Sequence, residues 1–146
     1  MTRVRSRFIS MKKVLVFGVF DGVHDGHRAL FKQAKKHGHH LIAAIAQDHI
    51  VERLKGHLPH YDLADRIDAL SKEADIDEVV LGDAEMGTYE VVLRARPHVI
   101  ALGYDQEALR QDLEESMHRF DWEPRIVVLK PHEGDALHSS FLHKKK

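Results

Sequence analysis

Apolar residues in this chain gather into short unbroken runs, separated by amphipathic or polar stretches. Val14–Val19 is a continuous, β-branched run, and comparable runs recur at Leu41–Ala46, Glu78–Leu81, His98–Leu102 and Arg125–Leu129. Runs of this length without alternation mark strands buried on both faces. Between them the period becomes helical. Gly26–Lys36 sets Ala29, Leu30, Phe31 and Ala34 along one stripe and closes at His37-Gly38. Asp62–Lys72 carries Leu63, Ile67 and Leu70 at helical spacing, and Thr88–Ala95 stops before Arg96-Pro97. Gln106–Arg119 predicts an exposed, charged helix with Leu109, Leu113 and Met117 as its apolar positions. Gln47–His60 is polar, contains Lys55-Gly56 and a proline, and predicts a loop with room for one helical turn.

Strands alternating with helices predict an α/β fold, an open parallel five-stranded sheet with helices on both faces. Such sheets bind ligands beyond the carboxyl ends of their strands, at the switch point. The positions to question are therefore Phe20–His27, Gln47-Asp48, Gly82-Asp83, Gly103–Gln106 and the residues from Pro131 onward.

Composition narrows the classes. At 146 residues the chain fits one domain, and it shows no internal repeat. A net charge of -1 argues against a nucleic-acid binder, and the absence of cysteine excludes disulfides, thiolate metal sites and a cysteine nucleophile. No apolar run is long enough for a membrane span. Met1–Ser10 is basic but lacks the apolar stretch of a secretory signal, and Met11-Lys12-Lys13 reads as a natural start. Residues 1–10 are expected to be a disordered extension, 11–146 a single domain, and the location cytoplasmic. Thirteen histidines are many for this length. His37, His39 and His40 fall in a turn before a strand and read as solvated side chains rather than a metal site, since no i, i+4 histidine pair supports one.

The chemistry concentrates in Phe20–His27, which follows the first strand and opens the first helix. A helix N-terminus offers unpaired N–H groups and the positive end of its dipole. Gly26 removes a side chain where a phosphate would approach, and His24 and His27 can address the same anion. An equally good reading on position alone has Asp21 or Asp25 capping the helix, with the histidines merely exposed. Three familiar alternatives fail. Gly18-Val-Phe-Asp-Gly22 has the wrong spacing for GxGxxG, no GK[ST] triplet is present, and the nucleophilic aspartate of a DxDG phosphatase would here be Val19.

GVFDGVHDGHRALFKQAK resembles the G-x-F-D-x-x-H-x-G-H signature of the cytidylyltransferase-like nucleotidylyltransferases. Gly18, Phe20, Asp21, His24, Gly26 and His27 meet its fixed positions. The similarity extends over most of Lys12–Leu142, in the manner of the glycerol-3-phosphate cytidylyltransferase and archaeal-type FAD synthetase branch. It implies a Rossmann-like fold and transfer of a nucleotidyl group from an NTP to a small phosphorylated acceptor, releasing pyrophosphate. His24 and His27 would stabilise the transition state without forming a covalent bond, and Asp21 would order the turn. Lys55 and Arg66 resemble the lysine and arginine that contact phosphates in the family's substrate loop and following helix. Lys55 would also share the catalytic role. The nucleotide would lie against Gly18, Val19, Phe20, Asp21, Gly26, Gly103, Asp105 and Gln106, and against Ser139 and Ser140 in the tail. Mg²⁺ would be held by the triphosphate, with no protein ligand assigned.

The resemblance favours ATP with FMN, because Gly103-Tyr-Asp-Gln106 is similar to the archaeal FAD synthetases. Compact length and overall order keep CTP with a glycerol or other polyol phosphate as the alternative. Two positions depart from the family pattern: His138 replaces the first serine of the tail motif, and Glu133 stands where an arginine is usual. Together with the short tail they motivate a different class of reading, a non-catalytic nucleotide-binding module. The family habit further implies a homodimer, with neither nucleic acid nor membrane as a partner.

Overall fold

The computed structural model describes residues 11–131; residues 1–10 and 132–146 are outside it. The elements run β1 (Lys13–Gly18), α1 (Asp25–Lys35), β2 (His40–Ile45), α2 (Asp48–Lys55), α3 (Leu63–Ser71), β3 (Glu78–Leu81), α4 (Glu90–Ala95), β4 (Val99–Leu102), α5 (Glu107–Ser116) and β5 (Arg125–Val128). A single 3₁₀ turn, Met117–Arg119, extends α5.

All five strands are parallel, in the order β3-β2-β1-β4-β5. The chain builds outward from β1 through β2 to β3, then returns to the other side of β1 for β4 and β5. The reversal puts the switch point between β1 and β4, where Val14 pairs with both Leu41 and Val99.

Successive side chains of a strand point to opposite faces. Val14 and Val16 accordingly join Leu41, Ala43, Ile45, Phe31, Ala34 and Leu70 in one core cluster. Leu15 joins Ile42, Ala44, Ile100, Val91, Val92 and Leu113 in the other. Both faces of the central strands are covered, which is why their runs show no alternation. The predicted fold class is the one observed.

Three element predictions change. Gln47–His60 holds a true helix, α2, whose Ile50 and Val51 are buried. It ends at Gly56, whose left-handed φ of 80° lets its N–H reach the carbonyl of Glu52 at 2.8 Å. A helix this short persists only through packing. The helix predicted from Thr88 begins at Glu90, because Tyr89 is left-handed and Asp83 Oδ1 accepts the N–H of Val91 at 2.8 Å. The helix predicted to Arg119 tightens to 3₁₀ after Ser116. No helix among the described residues is long and apolar enough to cross a membrane.

Candidate active site at the switch point

The loop after β1 is shaped by Phe20, which is buried and sits in the left-handed region at φ 52°. Its ring folds back over Gly18, where a Cβ would come within 2.6 Å of it. Only glycine fits at that position. The same ring meets His27 and Phe31 edge to face, each at 5.5 Å between centroids. The signature residues Gly18, Phe20 and His27 are thus one packed unit.

His24 is the N-cap of α1, and with His27 it forms a capping box built from two imidazoles. His24 Nδ1 accepts the N–H of Gly26 at 3.0 Å and also that of His27, while His27 Nδ1 accepts the N–H of His24 at 3.2 Å. The rings stack with centroids 4.0 Å apart. The helix is capped, as one of the two readings expected, but the cap is made by histidine and not by Asp21 or Asp25. A neutral imidazole accepting at Nδ1 carries its proton on Nε2. Both rings are thereby set as Nε2–H donors. The first-turn amides of Gly26 and His27 are already spent on His24.

Three long polar side chains bridge neighbouring strands at their carboxyl ends. Gln47 Nε2 donates to Gly82 O at 2.9 Å and joins β2 to β3. Arg66 Nη1 donates to Val19 O at 2.9 Å and Ala46 O at 2.7 Å, joining β1 to β2. Gln106 Nε2 donates to Phe17 O at 3.1 Å while its Oε1 accepts the N–H of Gly103 at 2.9 Å, closing the switch point itself.

Two expected ligand residues are engaged by the protein itself. The Arg66 side chain has 0% exposure, and it also donates to Tyr61 O at 3.1 Å and Asp48 Oδ1 at 2.6 Å. It lies on the buried stripe of α3 with Leu63, Ile67 and Leu70. Gln106 has both ends of its amide engaged by backbone, its Oε1 by Gly103 and its Nε2 by Phe17. Asp105 and Tyr104, by contrast, are exposed beside buried Gly103.

Asp21 reaches across to the loop between α2 and α3. Its Oδ2 accepts the N–H of His60 at 2.6 Å and its Oδ1 that of Tyr61 at 2.8 Å. Burial pushes its carboxyl up, but the Tyr61 and His60 amides, with the His60 and Arg66 charges, outweigh this and hold it below the ordinary carboxylate value. Asp21 thus orders a distant segment rather than its own turn. Lys55 is exposed at the head of that segment and forms no ion pair with another described residue.

Three other histidines, His39, His40 and His98, serve the opposite end of the sheet. His39 Nδ1 and His98 Nδ1 accept the N–H groups of Lys12 and Lys13, both at 3.0 Å, and His40 bonds Glu78 at 2.8 Å. His39 and His40 act as ties, His39 while remaining exposed to solvent. Among the described residues no group of three or more His, Asp or Glu could hold a metal ion. Ser139, Ser140, Glu133 and His138 lie outside the described residues.

Comparison with known proteins bears on this geometry. The family profile described as cytidylyltransferase-like matches residues 15–145. The FAD synthase of Thermoplasma acidophilum is 32% identical over 135 residues, 92% of this chain and 94% of that protein. The FAD synthase of Thermococcus sibiricus is 38% identical over 105 residues, 69% of this chain and 71% of that protein. A Thermoplasma volcanium structure named as a lipopolysaccharide core biosynthesis protein superposes with TM-score 0.77 at 29% identity, covering 84% of this chain and 99% of that one. The pantoate-beta-alanine ligase of Francisella tularensis shares the fold at TM-score 0.59 and 13% identity, covering 84% of this chain and 60% of that one.

Proposed function

The chain belongs to the cytidylyltransferase-like family and is a nucleotidyltransferase, and from that premise we propose that it transfers the adenylyl group of ATP to FMN, giving FAD and pyrophosphate. The observation that carries the mechanism is the stacked imidazole pair at the switch point, each ring accepting a backbone N–H at Nδ1, which favours the Nε2–H form. The relatives named FAD synthase, aligned along most of both chains, support the choice of nucleotide and acceptor.

In this reaction a phosphate oxygen of FMN attacks the α-phosphorus of ATP. The bond from the α-phosphorus to its bridging oxygen breaks, and the electron pair leaves with pyrophosphate. A phosphate monoester is already largely ionised at neutral pH, its second pKa being about 6, so no residue need act as nucleophile or base. The chain supplies position and charge stabilisation. His24 and His27 donate from Nε2 to oxygens of the α-phosphate as charge builds there. Gly18, Val19, Phe20, Gly26, Gly103 and Asp105 contact the nucleotide, and Lys55 neutralises the acceptor phosphate. Asp21, Arg66 and Gln106 hold the strand ends and the Lys55 loop in place. Ser139 and Ser140 remain assigned to the outer phosphates. Mg²⁺ enters as part of the substrate, MgATP, neutralising triphosphate charge.

A pyrophosphate-release assay crossing ATP and CTP with FMN, glycerol 3-phosphate and phosphopantetheine tests the reading. Release is expected with ATP and FMN alone. Release with CTP and glycerol 3-phosphate would replace it with the cytidylyl reaction. The proposal retains residues 11–146 as one catalytic domain, a cytoplasmic location and a homodimer, the last checked by sedimentation.

A further inference from the structure

We propose that Tyr61 is the platform on which the flat ring system of the acceptor lies, an inference that rests on FMN as the acceptor. Tyr61 is held on three sides and yet is 47% exposed. Its backbone N–H is bound by Asp21 Oδ1 at 2.8 Å, in the signature loop. Its ring rests against Gly22, where a Cβ would lie 3.6 Å from Tyr61 Cε2. The His60 ring meets it edge to face, with centroids 4.8 Å apart at 89°. Asp21 therefore couples the position of this ring to the loop that carries His24 and His27.

Single exposed apolar side chains are ordinary on protein surfaces. Tyr61 differs because Asp21 spends one oxygen on its N–H and the other on that of its neighbour His60. Leu58, on the same loop, is 58% exposed, and Leu54 at the end of α2 is 57% exposed. A polyol phosphate would gain little from such a surface, which offers it few polar partners. A flat heteroaromatic ring gains stacking area there, while its phosphate reaches toward Lys55 and the imidazole pair.

The test uses the full chain with FMN varied at saturating ATP, and the reverse. Tyr61→Ala should raise KM for FMN about ten- to a hundredfold, the usual span for a lost ring-stacking contact. KM for ATP should stay within about twofold of wild type, the size of a change unconnected to a binding contact. Tyr61→Phe should keep the wild-type KM for FMN. Flavin emission gives a second readout: a tyrosine in ring contact quenches it and a phenylalanine does not, so FMN bound to Tyr61→Phe should regain emission. That variant decides the matter even if Tyr61→Ala fails to fold. An unchanged KM for FMN in folded Tyr61→Ala, an equal rise for both substrates, or undiminished quenching in Tyr61→Phe would overturn the platform. No release from ATP and FMN by the wild-type protein would overturn the acceptor assignment itself, and the platform with it.

Discussion

Replacing Arg66 distinguishes an arginine that holds the fold from one that binds phosphate. Its guanidinium donates to three backbone carbonyls, of Val19, Ala46 and Tyr61, and to the Asp48 carboxylate. A hydrogen bond between neutral groups contributes about 1 kcal/mol net, and one to a charged group about 1.5–3 kcal/mol. The side chain of Asp48 is 40% exposed, so water can take it back once the pair is broken. That places Arg66→Ala at a loss of about 3–5 kcal/mol, the range for breaking a buried pair, against a total stability of about 5–15 kcal/mol. With a urea slope of about 1–3 kcal/mol/M, the unfolding midpoint should fall by about 2 M. Arg66→Lys can meet one or two of the four acceptors and should recover about half of the loss. The measurement is equilibrium urea unfolding beside steady-state kinetics. A midpoint shift below about 0.5 M together with a tenfold rise in KM for either substrate would show the guanidinium meeting a phosphate, and would refute the structural role.

His27→Ala should lower turnover roughly a hundred- to a thousandfold while costing stability only about 1 kcal/mol for half of a capping box, read by pyrophosphate release and thermal melting. Turnover near wild type would remove the imidazole from the mechanism. Gln106→Leu removes the bond to Phe17 across the switch point and the local bond to Gly103, and should cost about 1–3 kcal/mol in urea unfolding. It should also raise KM for ATP more than it lowers kcat; unaltered stability would contradict the bridge. Stability should decline in acid below about pH 4, partly through Asp77. Burial opposes its charge, but the Leu41 N–H, the Lys35 ammonium and the nearby His40 hold its carboxyl below the ordinary 3.8. A group whose folded value is lowered stabilises fully above its unfolded value and loses that contribution as pH falls through the folded one. Asp77→Asn should therefore flatten the decline in a pH series of urea titrations, and a slope as steep as wild type would exclude Asp77 from it.

The parts of this molecule that were legible in the sequence are those where burial dictates residue type. Val14–Val19 and Leu41–Ala46 could only be strands covered on both faces, and their alternation with helical periods leads to the parallel sheet and its switch point. The α2 helix escaped because Ile50 and Val51 lie in a short segment with polar flanks, although Leu54 and Gly56 complete a helical spacing and a stop. The capping box was hidden for a chemical reason. Imidazoles occupy the places where a serine or threonine and a glutamate usually give the signal. Arg66 and Gln106 show a further limit: a long polar side chain can face solvent or serve buried carbonyls, and composition does not say which. In Arg66 a clue was present, since it shares the apolar stripe of α3 with Leu63, Ile67 and Leu70. No such clue marks Gln106, whose role depends on β1 and β4 being neighbours.

The bridges at the carboxyl ends of the strands also settle a matter of electrostatics. The oxygens of Phe17, Val19, Ala46 and Gly82 carry partial negative charge, and left bare they would turn their lone pairs toward an arriving triphosphate. Each instead has a donor from an amide or a guanidinium. One of those donors is the Arg66 guanidinium, whose charge is paired with the Asp48 carboxylate. Repulsion between the sheet and a polyanion is thereby reduced before any nucleotide arrives, and the same contacts that lock the strands together make their edge tolerant of phosphate.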